Sequence, residues 1–333
     1  MASVELVIDF GSKVIKIYKK GVGIILNQDA ACLVNIQKNK MSIVAAGNNA
    51  TAKVGTIADH QELIYPIKEG IVVHNRACKL MMEEFLNSIT GSILVKQRIK
   101  VLAAVTSGIN NTEKKVYEDI LLSCGVSDVV FIESPICSAL VHEIMPCLVI
   151  DIGEQKTEIA IVGNKGIIIG CTVNIAGAKF NEDISKYVAE TYKISIKKHA
   201  SEKAKISVAS LYDFDNSNIS VTGKNLLSNQ PSTIKLTATD CKNAILPSIE
   251  KLCDTIEKFT MLIPKSEVDE IYSNGIILCG GSAELNGLQE YLQRRIGLKV
   301  RKLDFPSASV VNGGIKLLKN ESLLSAMINI DNF

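Results

Sequence analysis

Two short stretches repeat the same chemistry: LVIDFGS at 6–12 and LVIDIGE at 148–154. Each sets an Asp at the end of an apolar run and a Gly two positions later, Asp9 with Gly11 and Asp151 with Gly153. A carboxylate at a strand end can hold a hydrated metal, and a glycine lets backbone N–H groups approach phosphate with no Cβ in the way. Two such turns facing each other would clamp a metal-bound nucleotide from both sides. A third candidate is Gly280-Gly281-Ser282. If that glycine pair opens a helix, it offers bare N–H groups and the positive helix end to an anion.

The elements that position these residues repeat as well. Behind each Asp-Gly turn comes a second apolar stretch, at 14–18 and 158–162, and a third at 23–26 and 166–169. A repeat spaced by about a domain length implies duplication and not a solenoid, whose periods run roughly 20–50 residues. The length of 333 residues agrees with about two domains. Apolar spacing predicts helices over 75–89, 111–124, 136–144, 179–192, 201–209, 240–261 and 288–296. Strands are expected through 4–46 and 147–173 and at 99–105, 129–132, 219–221 and 275–279. Strands alternating with helices in this way mean an α/β architecture.

Composition removes several function classes. A hydrophobic content of 47% with seven Pro excludes a disordered chain. The 37 basic and 35 acidic residues leave a net charge of +2, and the basic residues have no interleaved aromatics, so no nucleic-acid groove is expected. Nine Cys, odd in number and without a CxxC pair, point to a reducing cytosol and not to a disulfide or zinc scaffold. The four His are too scattered for a metal centre. Residues 1–5 lead straight into the first strand, so no signal peptide is expected, and no apolar run approaches the roughly 20 residues of a membrane helix.

With these turns in place, further motifs carry a family resemblance: PIKEGIVV at 66–73, SGIN at 107–110, IESP at 132–135, NIAGAKFNEDI at 174–184, VTGKNLLSNQP at 221–231 and NGIILCGGSAELNGL at 274–288. Taken in order, they make the chain resemble the actin-like ATPases, and within them the bacterial MreB family. The resemblance implies a duplicated actin-like ATPase fold of α/β class: two lobes, each with a central mixed sheet flanked by helices, and a nucleotide cleft between them. It divides the chain into a first lobe at 1–146, with a small subdomain at about 33–70, and a second at 147–333, with one at about 185–245. It also implies ATP or ADP with Mg as cofactors. Asp9, Gly11, Ser12, Lys13 and Lys16 match the first phosphate loop, and Asp151, Gly153, Lys156 and Thr157 the second. Gly177, Glu202, Lys205, Gly280, Gly281 and Ser282 complete the nucleotide-binding set, with Asp9 and Asp151 reaching Mg through water.

Three departures fall at the chemistry. Glu154, Gln155 and Lys156 stand where the family has Gly-Gly-Thr. A carboxylate about 4 Å from a phosphate charge costs on the order of 4 kcal/mol at an effective dielectric near 20, or about a thousandfold in affinity. That cost disappears if Glu154 and Lys156 face solvent as a charge pair, or if Lys156 and the metal offset it. Ser134 replaces the Glu that the family places before Pro135 to orient the attacking water, leaving Glu133 and His142 as catalytic candidates. Ala178 replaces an Asp.

The resemblance therefore implies an MreB-like bacterial actin homologue that polymerises head-to-tail with itself into cytoskeletal filaments in the cytoplasm. It is an ATPase by family, with weak or absent hydrolysis. The alternative is a non-polymerising nucleotide-binding adaptor of the same superfold, of the pilus-assembly or shell-associated type. Ile93, Leu94 and Val95, followed by Lys96 and Arg98, suggest weak contact with the inner face of the membrane, or else the start of the next strand.

Overall fold

The computed structural model of the chain describes residues 3–38, 40–90 and 98–328. Their contacts group into two units: the described residues up to Glu143 together with those from Ala308 onward, and Ile144–Ser307.

The first unit opens with an antiparallel meander, β1 (Ser3–Phe10), β2 (Val14–Lys19) and β3 (Gly23–Asp29). Next come β4 (Cys32–Gln37), β5 (Lys40–Ala46), the single turn α1 (Asn48–Thr51) and β6 (Gln61–Ile64), whose strands form a separate three-stranded sheet in the order β5-β4-β6. After a two-stranded hairpin, β7 (Ile67–Lys68) and β8 (Ile71–Val72), the chain runs through α2 (Asn75–Thr90), β9 (Arg98–Val105), α3 (Asn111–Ser123), β10 (Asp128–Glu133) and α4 (Ser134–His142). β9 pairs parallel to β1, and β10 parallel to β9, giving a five-stranded sheet β10-β9-β1-β2-β3. Its centre is buried because β1 and β9 are almost continuously apolar, the pattern of strands covered on both faces.

The second unit runs through β11 (Cys147–Ile152), β12 (Thr157–Gly163), β13 (Gly166–Val173), α5 (Gly177–Tyr192), β14 (Ile194–Ser195), α6 (Lys198–Val208), β15 (Asn218–Asn225) and β16 (Pro231–Thr237). It continues with α7 (Ala238–Thr260), α8 (Val268–Asn274), β17 (Ile276–Cys279), α9 (Leu288–Ile296) and β18 (Val300–Lys302). Its large sheet, β13-β12-β11-β17-β18, repeats the first in every pairing: an antiparallel meander followed by two parallel strands on the other side of the leading strand. α7 packs through Cys241, Ile245, Ile249, Leu252, Ile256 and Phe259, and its start is fixed by a reciprocal Thr237–Asp240 capping box. The smaller sheet here is β14-β15-β16.

The last helices, α10 (Ser309–Lys319) and α11 (Glu321–Ile328), belong to the first unit and not to the second half where the division at 146/147 puts them. The reason lies in the glycine pair of α10. A Cβ on Gly313 would stand 1.9 Å from the Cys137 carbonyl oxygen of α4, and one on Gly314 would stand 2.5 Å from Val7 of β1. Only hydrogen fits at such an approach. The Ser138 and Ser309 hydroxyls meet at 3.0 Å in the buried seam, and the Lys316 ammonium donates to the Leu140 carbonyl at 3.0 Å.

Candidate functional site

Asp9 sits one residue before the end of β1, in register with Lys16 on β2, so opposite charges face each other across the strand pair. Gly11 makes the turn possible, since a Cβ there would lie 2.4 Å from the Val14 carbonyl oxygen. The Ser12 hydroxyl accepts a hydrogen bond from the Gly70 N–H at 3.0 Å, while the Lys13 carbonyl accepts from the Ala30 N–H at 2.7 Å. Gly70 and Glu69 both have positive φ, 81° and 53°, as a two-residue hairpin of the mirror-image type requires. That hairpin is the PIKEGIVV motif, and the Tyr117 hydroxyl donates to the Gly70 carbonyl at 3.0 Å. The first turn is thus anchored to two other segments of its own unit.

The water-positioning candidates separate. Glu133 ends β10 next to Val105 of β9, and its Oε1 accepts the Gly108 N–H of the SGIN turn at 2.7 Å. Ser134 is buried and donates to the Val105 carbonyl at 2.9 Å. His142 closes the far end of α4, whose rise puts it about 13 Å along the axis from Glu133. One water molecule cannot be held by both, and Glu133 is the one on the sheet that also carries Asp9.

In the second unit Asp151 pairs with Glu158 across β11 and β12. Gly280, at φ 85°, lies against it: a Cβ there would come within 2.4 Å of Asp151 Oδ1 and of the Ile152 carbonyl oxygen. The Gly153 N–H donates to the Lys156 carbonyl at 3.0 Å, closing the turn on itself. Its carbonyl accepts from the Gly177 N–H at 3.1 Å and from the Ser282 hydroxyl at 2.8 Å. The Glu154 carbonyl accepts the Ala178 N–H at 2.6 Å. The first amides of α5 are therefore spent on the turn's own carbonyls. Thr157 is fully buried and its hydroxyl donates to the Ile175 carbonyl at 2.6 Å, so it braces the turn from behind.

Glu154 and Lys156 are not a solvent-facing pair. Lys156 lies 3.4 Å from Glu158, and Glu154 turns inward, 3.7 Å from Lys205 of α6. The expectation that Glu154 and Lys156 face solvent as a charge pair is corrected: both are largely buried, and Lys205, far along the chain, lies beside Glu154. Glu202 lies one helical turn before Lys205 on the same side of α6. Gly280 and Gly281 do not open an α-helix either. Gly281–Glu284 is one 3₁₀ turn, and α9 starts only after Gly287, at φ 76°. The glycine pair therefore offers no α-helix start, and the Ser282 hydroxyl bonds the Gly153 carbonyl.

These residues suit a phosphate-bearing ligand with a hydrated metal. The first turn depends on Gly11 and the second on Gly280 against Asp151, each carries one strand-end Asp, and Asn181 Oδ1 is a buried acceptor without a hydrogen-bond partner that suits a metal-bound water. Among the described residues no group of three His, Cys, Asp or Glu could enclose a metal. Mg typically keeps several waters and takes one or two carboxylates plus phosphates, a demand that single Asp residues meet. No described helix is long and apolar enough to cross a membrane, and Ile93, Leu94 and Val95 lie outside the described residues.

Comparison with known proteins gives a consistent result. The family model described as MreB/Mbl protein matches residues 3–326. The cell shape-determining protein MreB of Escherichia coli (strain K12) is 27% identical over 327 residues, which is 96% of this chain and 94% of the relative. Among solved structures, MreB5 of Spiroplasma citri bound to ADP superposes with a TM-score of 0.90 at 23% identity, covering 100% of this chain and 99% of the other. A MamK double helical filament gives 0.80 at 12% identity, covering 96% and 99%. At these identities the structures speak for the fold alone, and that fold is the actin-like one.

Proposed function

This chain belongs to the MreB/Mbl family, and from that premise we propose that it polymerises with itself into cytoskeletal filaments, binding ATP or ADP with Mg through its two Asp-Gly turns and hydrolysing slowly or not at all. The self-association part is supported by the filament structure of MamK, and the nucleotide part by the ADP-bound MreB5. In this reading Asp9 and Asp151 would hold a hydrated Mg, and Gly11 and Gly153 keep the turns free of Cβ atoms. Bound Mg would neutralise phosphate charge.

Slow turnover rests on one observation. The position before Pro135 holds a buried hydroxyl that donates to the Val105 carbonyl, and the adjacent carboxylate, Glu133, is already engaged by the Gly108 N–H. A general base has to reach the proton that it takes, within about 3 Å or through one water. That bond ties Glu133 to the SGIN turn, so it can serve only where its remaining lone pairs reach the water.

The test is sedimentation of the full chain, with electron microscopy of the pellet, without nucleotide and with ATP, ADP or a non-hydrolysable analogue while phosphate release is recorded. Filaments with little phosphate release are expected. Soluble monomer in every condition would point instead to the adaptor role, and brisk release would refute the impaired site. The proposal includes a cytoplasmic location with weak membrane contact through Ile93, Leu94 and Val95. Flotation with anionic liposomes checks it, and replacing the three by Ser should abolish any binding.

A further inference from the structure

The second turn carries a carboxylate of the wrong sign for a phosphate, yet the protein keeps it inside. The Glu154 side chain is 14% exposed and that of Lys205 is 12% exposed, with the ammonium 3.7 Å from Oε2. Lys205 also donates to the Gly177 carbonyl at 2.9 Å, while the Asn181 amide points its Nδ2 at Glu154 Oε1 at 3.5 Å. Gly177 sits between them: a Cβ there would lie within 2.7 to 2.9 Å of Glu154 Oε2, Ser282 Oγ and Lys205 Nζ together. Three amides and one cation that could otherwise face an anion here are already engaged. The N–H groups of Gly153, Gly177 and Ala178 all bond carbonyls of the turn, and Lys156 is matched with Glu158.

We propose that the Glu154–Lys205 pair is a charge filter that makes this site prefer a nucleoside diphosphate to the triphosphate. Glu154 occupies Lys205 with an internal anion. A ligand phosphate at the turn either meets the carboxylate or draws Lys205 away from it, and the penalty grows with the charge that the ligand carries. Lys205 acts as a positioning residue, through Glu154. The inference rests on the reading that the second turn binds nucleotide phosphates.

Calorimetric titration of the full chain with MgADP and MgATP tests it. The expected result is a preference for MgADP of about tenfold, which Glu154→Gln, keeping the shape and removing the charge, brings close to parity. Lys205→Met should weaken both ligands and widen the preference, and Lys205→Arg should restore it. A readout without ligand accompanies these: Lys205→Met should lower the apo melting temperature by several degrees in the native background and by much less in the Glu154→Gln background. Protein that binds neither nucleotide brings down the functional reading, and the filter with it. Protein that binds both, with a preference that Glu154→Gln leaves within about twofold, overturns the filter alone. So does an apo cycle with no coupling between the two residues.

Discussion

The two Asp-Gly turns lie on sheets with the same strand order and pairing, yet they are held in different ways. In the first, a Cβ on Gly11 would collide with the Val14 carbonyl oxygen at 2.4 Å, and support comes from outside, through the Ser12–Gly70 bond. In the second, a Cβ on Gly153 would stand 3.1 Å from the Lys156 carbonyl oxygen, and the turn is closed by its own Gly153–Lys156 bond and by amides of α5. A turn fixed by its main chain is free to change side chains, and the second has done so at Glu154, Gln155 and Lys156. The first, where Gly11 admits no Cβ and a serine hydroxyl adds to the Lys13–Ala30 main-chain bond, has less latitude.

Four substitutions test this contrast. Gly11→Ala should cost about 3 kcal/mol of unfolding free energy by urea titration, because backbone must move. Gly153→Ala should cost about 1 kcal/mol or less, since a shift of a few tenths of an ångström suffices; equal losses would refute the contrast. Ser134→Glu should raise phosphate release by about tenfold or more if the block to hydrolysis lies in the first unit. If Glu154→Gly raises it instead, the second turn is at fault.

A smaller effect concerns the acid stability of the second unit. Burial pushes the Asp240 carboxyl up, but hydrogen bonds from Thr237, Tyr192 and Tyr187 outweigh it and hold the group below its ordinary value. A carboxyl lowered in the folded state contributes stability that is present above its unfolded value, near 3.9, and is lost as pH falls through the lowered one. Asp240→Asn should therefore cost about 1 kcal/mol near neutrality, by loss of the capping box, and flatten the acid limb of the urea midpoint. Smallest of all, burial raises the thiols of Cys124, to about 11, and Cys171. One lies in each unit, and both are only half-buried. Iodoacetamide should label these two slowly and the other seven only after unfolding.

The strand frame is legible in the sequence because it is apolar, repeated and local: 6–12 and 148–154 announce the same meander. The stripe of α7 is legible despite Pro247 inside the helix, since tertiary burial of six apolar residues outweighs the hydrogen bond that proline removes. Features that depend on distant partners are not. Nothing near Glu154 names Lys205, and a carboxylate without a visible partner reads as solvent-facing. The helix at 288–296 is legible, but the role of the glycine pair at 280–281 is not, because it lies in the close approach of Gly280 to Asp151 and the Ile152 carbonyl. α10 stays hidden for a related reason. Its Gly313-Gly314 pair lowers helix propensity, and only the approach of α4 and β1 explains why it is there.

The return of α10 to the first unit has a consequence for the order of events during synthesis. Ile144–Ser307 is a continuous stretch, and all of it leaves the ribosome before the two C-terminal helices do. The first unit, begun earlier, cannot seat Val7 and Cys137 against their glycines until α10 has emerged. The half of the protein that starts first is therefore finished second, and until then the helix behind Glu133 and Ser134 waits with its packing surface uncovered.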